Sequence, residues 1–212
     1  MERRQLSLSL IAEEGAPGEN LPGTARLFLF RHGLTQYNIE KRYQGSSDLP
    51  IVKEEAKRIR PFFPEAEERE RTRDAVYVSP ALRARQTAAL LFPDAEQIVI
   101  PEFREMDFGI FEGRSADEMA SDPQYRRWVD SMCEGPVPGG ESLEQFRKRV
   151  TERFESLAAQ ALSEGGRDLL IVAHGGTQMA VMERFCTRKR PYWSWQSPPG
   201  EAVRAVITAK AR

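Results

Sequence analysis

Residues 26–38 read RLFLFRHGLTQYN, an apolar run that breaks off at Arg31-His32-Gly33. A short, almost continuously apolar run predicts a buried β-strand. One of the chain's two histidines follows it directly. The same arrangement recurs at 168–176, DLLIVAHGG, where a second apolar run delivers the other histidine, His174, ahead of two glycines.

Working outward, DAVYVS (74–79) and QIVIP (97–101) read as further strands and AVRAVIT (202–208) as a last one. Helical patterns lie between them. IVKEEAKRIRPFF reads as helical up to Pro61, and the charged PEAEERERTR after it as a solvated helix or loop. SPALRARQTAALLF reads as a helix with Ser79 as N-cap and Pro80 at its first position. A helix is expected from about Ser115 and continues through DPQYRRWVD, before the loop EGPVPGGES. From Ser142 a long amphipathic helix places Leu143, Phe146, Val150, Phe154, Leu157 and Ala161 on one face, and Gly165-Gly166 ends it. TQMAVMERFC is the helix after His174.

Strands alternating with helices imply an α/β fold, a three-layer sandwich with a mostly parallel central sheet and helices on both faces. Residues 1–25 read as a flexible or loosely docked leader, since 12–24 is rich in Gly, Pro, Glu and Asn, ahead of one domain over 26–212. A chain of 212 residues with 40% hydrophobic and 30% charged residues suits one such domain. The net charge of −1 gives no field that favours nucleic acid or an anionic membrane. Two distant cysteines and two scattered histidines make no metal-ligand cluster, so no metal or other cofactor is expected. No run is long enough to span a bilayer, and the short, serine-broken start resembles no signal peptide, which points to the cytoplasm.

In open α/β sheets the ligand crevice lies beyond the carboxyl ends of the strands. Arg31-His32, Arg83 and His174 all arrive at that edge. Arginine's planar fork binds phosphate oxygens in pairs and keeps its charge, and helix N-termini offer free N–H groups to the same anion. Glycines such as Gly33, Gly175 and Gly176 allow close backbone approach. A neutral imidazole can attack phosphorus, and a carboxylic acid can protonate the leaving alkoxide. The set suits phosphoryl chemistry.

Five motifs, RHGLTQYN, SPALRARQTA, EFREMDFGIFEG, PGGES and VAHGG, occur in the order and approximate spacing of the histidine phosphatase superfamily, the phosphoglycerate-mutase-like group. The chain resembles that family from Arg26 to about Thr208. The resemblance implies that His32 is the phosphorylated nucleophile and that Arg31 and Arg83 hold the phosphate. His174 donates to the phosphate and stabilises its charge, while Glu105 is the proton donor and later the base. It also implies phosphate contacts from Asn38 and from the Gly175 N–H. Asp107 and Glu112 lie close enough in sequence to compete with Glu105 for the proton.

Each residue has a plainer reading: a strand-end histidine packed in a core, a surface helix arginine at Arg83, a helix start explained by Ser79-Pro80. Tyr192, Trp193 and Trp195 read as packing aromatics, and 188–190 as a solvated basic turn. Leu34 is apolar where the family commonly has an acidic residue or glutamine, and DLPIVKEEAK lacks the family's usual Thr and Gly.

Mutases of the group that this chain resembles usually carry a longer insertion between the glutamate motif and the second histidine. With a compact segment from Glu105 to His174 and a route for water, the resemblance favours a phosphomonoesterase over a cofactor-dependent phosphoglycerate mutase-type phosphoryl transferase. EMDFGIFEG and PGGES resemble α-ribazole phosphatases, so α-ribazole 5'-phosphate is a candidate among small phosphorylated metabolites. A non-catalytic phospholigand-binding relative is the alternative from another class. A homodimer is compatible with all three.

Overall fold

The computed structural model describes residues 8–12, 23–62 and 75–209. The expected solvated segment 64–73 and most of the expected leader lie outside the described residues. The part of the leader inside them is not loose. Leu8–Ala12 forms strand β1, and β2 begins at Thr24, ahead of the expected domain start. β1 pairs antiparallel with the C-terminal strand, Leu8 opposite Ala209 and Ala12 opposite Ala205. Leu8 and Leu10 pack into the larger core, while the β1 backbone pairs with the C-terminal strand and, through Leu10, with Cys186 and Thr187, so the folded body includes Leu8.

The remaining strands are β3 (Ala75–Val78), β4 (Glu96–Val99), β5 (Leu169–Ala173) and β6 (Ala202–Ala209). They form one six-stranded sheet in the order β1-β6-β2-β5-β3-β4. β2, β5, β3 and β4 run parallel, while β6 is antiparallel to both its neighbours. The expected α/β sandwich is present. β2 and β5 lie side by side in register, Arg31 opposite Ala173, so the residues after them leave the sheet together. The buried Arg26–Asp168 ion pair ties the starts of the same two strands.

Alternation along β2 feeds two cores. Leu27 and Leu29 join the larger one, with Phe146, Val150, Phe154 and Leu157 from the long helix. Phe28 and Phe30 join the smaller one, with Ala84, Ala88 and Leu91. Helices therefore cover both faces: α3 (Leu82–Leu91) one, α5 (Leu143–Ser163) and α6 (Gly175–Phe185) the other. The expected stripe of α5 is the buried one, and Ser142 caps it in a reciprocal box with Gln145. Gly165 and Gly166, both with positive φ, end it.

The shorter helices differ from the sequence reading. α1 (Gln36–Ile39) was not foreseen, and α2 spans only Lys53–Arg58. No helix starts near Ser115: residues 116–121 are turns anchored by the Arg42–Ser115 bridge, and α4 (Pro123–Asp130) begins behind the Asp122 cap. Both cysteines are unpaired thiols. No described helix is long and apolar enough to cross a membrane.

Candidate active site

β2 and β5 end at the same height, and the backbone there is stitched across: the His32 N–H donates to the Ala173 carbonyl at 2.9 Å. The two imidazoles that follow lie edge to face with centroids 5.1 Å apart. Both side chains are buried, His174 completely.

His32 Nδ1 lies 2.8 Å from its neighbour's carbonyl, Gly33 O, an oxygen that can only accept. The ring proton therefore sits on Nδ1, and Nε2 carries the lone pair. Burial, with Arg83 and Arg31 adding to it, lowers the His32 pKa to about 3 against the weaker pull of the Gly33 carbonyl. The imidazole is neutral across the whole physiological range, as a nucleophile must be.

His174 Nε2 is 2.7 Å from Ser79 Oγ, and its Nδ1 has no protein partner. Ser79 is thus not the N-cap of α3, as the sequence suggested. That position belongs to Ala81, whose side chain caps nothing. The hydroxyl is taken by His174, 95 residues away, because a completely buried imidazole needs a partner more than an accessible helix end does. If Ser79 donates, the His174 proton sits on Nδ1, the nitrogen without a protein partner. Burial, then the Arg83 and His32 neighbours, hold the His174 pKa well below its usual value.

Arg83 is fully buried, which excludes the surface-arginine reading. Its two terminal nitrogens donate to the carbonyls of Ser47 at 2.7 Å and Gly45 at 3.1 Å, and its Nε is left without a partner. Arg31 donates to the Ser197 carbonyl at 3.2 Å, and its Nε is likewise unpartnered. Glu105 opposes the desolvation of both arginines, so the three charges share one field.

Glu105 accepts from the Met106 N–H at 3.0 Å and from the Gly176 N–H at 3.2 Å, at the N-terminus of α6. These bonds, with Arg83 and Arg149, favour the carboxylate, yet burial outweighs them and the pKa is raised. The two rival carboxylates are engaged elsewhere. Asp107 accepts from the Gly109 N–H, and Glu112 gathers the N–H groups of Gly45, Ser46 and Ser47. Glu112 thereby shapes the loop whose carbonyls hold Arg83.

Asn38 sits on α1, where its Oδ1 accepts from the Thr35 N–H at 3.1 Å. That fixes the carboxamide with its NH₂ as the group left to donate. Gly175 opens α6, so its N–H has no acceptor within the helix. His32, His174, Arg31, Arg83 and Glu105 share one electrostatic neighbourhood, and Gly175 directly follows His174 at the start of α6.

At two of the glycines the close approach comes from the protein's own side chains. The space beside Gly33 is filled by Glu55 and Ile59, which a Cβ would meet at 2.8 and 2.9 Å. At Gly175 a Cβ would fall 1.9 Å from Gln196 Nε2.

The sequence reading missed several supports. Thr87 Oγ1 accepts from the Gly33 N–H at 2.9 Å and donates to the Arg83 carbonyl at 2.7 Å, joining the two phosphate-directed motifs. Gln44, buried with an unpartnered Nε2, stands 2.6 Å from Thr35 Oγ1. Arg149 donates to the carbonyls of Glu102, Arg104 and Glu105 and pairs with Glu141. The polar runs RYQGSS and PGGES were the available signals, but their partners are distant in sequence. Among the described residues no group of three or more His, Cys, Asp or Glu side chains forms a metal site. Grooves of about 600 and 770 Å³ elsewhere on the surface contain none of the five central residues.

The sequence profile of the histidine phosphatase superfamily (branch 1) matches residues 27–210. A relative from Hydrogenobacter thermophilus that carries a phosphoserine phosphatase name is 36% identical over 166 residues, covering 74% of this chain and 76% of that protein. One from Enterobacter that carries a phosphoglycerate mutase name is 34% identical over 157 residues, covering 71% and 69%. Among solved structures, a phosphoglycerate mutase from Thermus thermophilus superposes with TM-score 0.61 at 32% identity, covering 84% of this chain and 91% of that one. An Escherichia coli chain described as an alpha-ribazole-5'-P phosphatase superposes with TM-score 0.72 at 24% identity, covering 88% and 95%, a likeness of fold.

Proposed function

Because the chain belongs to the histidine phosphatase superfamily (branch 1), we propose that it is a phosphomonoesterase that works through a phosphohistidine on His32. It acts in the cytoplasm on a small phosphorylated metabolite, with no metal required, and α-ribazole 5'-phosphate is one candidate. The observation that carries this reading is the state of His32. Its Nδ1 proton is committed to the Gly33 carbonyl, and burial, with Arg83 and Arg31 adding to it, holds the ring neutral, which leaves Nε2 as a nucleophile.

The steps follow from the residues. His32 Nε2 attacks phosphorus as the ester P–O bond breaks, and Glu105, whose pKa burial raises, gives its proton in the acid form to the departing oxygen. Arg31, Arg83, the Nδ1 of His174, the Asn38 amide and the Gly175 N–H hold the phosphoryl oxygens. Charge that a metal supplies in other phosphatases comes here from two arginines. The Glu105 carboxylate then takes a proton from water, whose oxygen attacks phosphorus. The P–N bond breaks, and inorganic phosphate leaves with His32 neutral again.

Phosphate release without added metal, measured on a panel of esters with wild type and His32→Ala, tests this. The panel holds α-ribazole 5'-phosphate, 3-phosphoglycerate, phosphoserine, sugar phosphates and 4-nitrophenyl phosphate. Turnover by wild type that the variant loses supports the reading. Turnover retained by the variant overturns it. Activity seen only as transfer between phosphoglycerates in the presence of 2,3-bisphosphoglycerate replaces it with the mutase reading.

A further inference from the structure

Gly175 and Gly176, neighbours on the first turn of α6, are each covered by a functional group from elsewhere in the chain. A Cβ at Gly176 would lie 2.2 Å from Glu105 Oε1, and one at Gly175 would lie 1.9 Å from Gln196 Nε2. The carboxyl assigned to proton donation and the Gln196 carboxamide are thus seated on adjacent residues.

The loop carrying Gln196 is fixed. The Ser197 N–H donates to Gln178 Oε1 at 2.9 Å, and Gln178 Nε2 donates to Ser197 Oγ at 2.8 Å and to the Leu29 carbonyl at 2.7 Å. The Ser197 carbonyl in turn accepts from Arg31. Gln196 itself is exposed, and its amide offers a donor and an acceptor from one rigid position.

Four residues earlier, Tyr192 presents its ring to the Arg147 guanidinium at 4.5 Å. Burial pushes its phenol up to about 12, a rise that Arg147 opposes and Glu105 reinforces, so the Tyr192 hydroxyl stays neutral close to the acid. Arg147 is already paired with Glu183 at 3.0 Å. With Arg147 over one face of the Tyr192 ring, this wall offers the ring's other face, a neutral carboxamide and a neutral hydroxyl, and the cation behind it is paired with Glu183.

Building on the phosphatase reading, we propose that Tyr192 and Gln196 form the leaving-group subsite and that it takes a hydroxyl-bearing ring, a phosphorylated sugar, rather than a phosphorylated carboxylic acid. The ring packs on Tyr192 and its hydroxyls exchange hydrogen bonds with the Gln196 amide. A site that hydrogen-bonds substrate hydroxyls discriminates against analogues without them. A substrate carboxylate would find Arg147 already engaged by Glu183.

The test measures kcat/KM for ribose 5-phosphate, butyl phosphate, phosphoserine and 4-nitrophenyl phosphate in wild type, Gln196→Ala and Gln196→Met. Wild type should prefer ribose 5-phosphate to butyl phosphate and to phosphoserine by about tenfold or more. Both variants should lower the ribose 5-phosphate to butyl phosphate ratio by about tenfold, the loss of one or two neutral hydrogen bonds. The methionine variant keeps the side chain's length, so a fall in both variants reports lost hydrogen bonds rather than lost packing. Wild-type preference for phosphoserine, or a ratio unchanged in both variants, overturns the subsite. If 4-nitrophenyl phosphate is still hydrolysed in a His32-dependent way, the phosphatase reading stands without it. If no ester is hydrolysed, both fall.

Discussion

Replacing Arg149 with methionine tests whether the proton donor is held in place by a single side chain. Arg149 donates to the carbonyls of Glu102 at 2.6 Å, Arg104 at 2.8 Å and Glu105 at 3.0 Å, and closes two bonds of 2.7 Å with Glu141. Both partners of the pair are mostly buried, with side chains 14% and 11% exposed. Breaking such a pair costs about 3–5 kcal/mol. Water can reach two of the freed carbonyls, so the lower end applies, about 3 kcal/mol. For a chain of this size that is a Tm drop of roughly 6–12 °C. The kinetic consequence is separate. The Arg149 charge pulls the Glu105 pKa down against burial, so its removal raises that pKa further. The alkaline limb of kcat, where the acid loses its proton, should move to higher pH. At the optimum kcat should fall by roughly 10²-fold as Glu105 loses its alignment. Thermal unfolding and a kcat–pH profile read both effects. A Tm within about 2 °C of wild type together with an unmoved limb would refute the clamp, and a Tm drop with an unmoved limb would reduce Arg149 to a structural support.

Two further outcomes follow from the same geometry. Gly176→Ala should cost about 10²-fold or more in kcat, with the fold retained by circular dichroism, because its Cβ would meet Glu105 Oε1 at 2.2 Å and Phe146 at 2.9 Å; near-normal kcat would mean the carboxyl has room to move. Acid should weaken the fold through His32: its pKa is lowered on folding, so the unfolded chain binds the extra proton, and the stability present above pH ~6.5 is lost toward pH ~3 at about 1.4 kcal/mol per pH unit. Glu105 works in the opposite sense, since its raised pKa lets the folded chain bind the extra proton at low pH. Denaturant midpoints against pH should therefore show an acid limb that flattens by about one proton in His32→Ala, and an equal slope in both proteins would contradict the assignment.

What could be read in the sequence was what depends on neighbours in the chain. The apolar runs that became β2 and β5 announce themselves locally, and so do the histidines at their ends. The stripe of α5 has a period, and Ser142 caps it by a short-range box. Features fixed by distant partners were not legible. β1 is five residues of ordinary composition whose role depends on β6, nearly the whole chain away. Ser79 carries every local mark of an N-cap, but a buried histidine claims its hydroxyl. Gly33 and Gly175 were rightly singled out as positions where something approaches closely. What approaches is Glu55 and Gln196, and only the folded chain shows it.

On the phosphatase reading, one physical condition serves two opposite chemical needs. A nucleophilic imidazole must be unprotonated, and a general acid must be protonated. Burial disfavours the charged form of either group, so it lowers His32 and raises Glu105 together. The arginines do not share this symmetry. Their charge survives burial, and it depresses both histidines while pulling Glu105 toward ionisation. Desolvation must therefore exceed the arginine field at Glu105 and reinforce it at His32. That requirement accounts for the way the chain crowds this end of the sheet. Glu55 and Ile59 close over Gly33, while Phe146 and Glu105 itself close over Gly176. A substitution that lets water into the site would push His32 toward protonation and Glu105 toward ionisation at once. The packing residues around the catalytic pair are thus part of its acid–base chemistry, although none of them exchanges a proton.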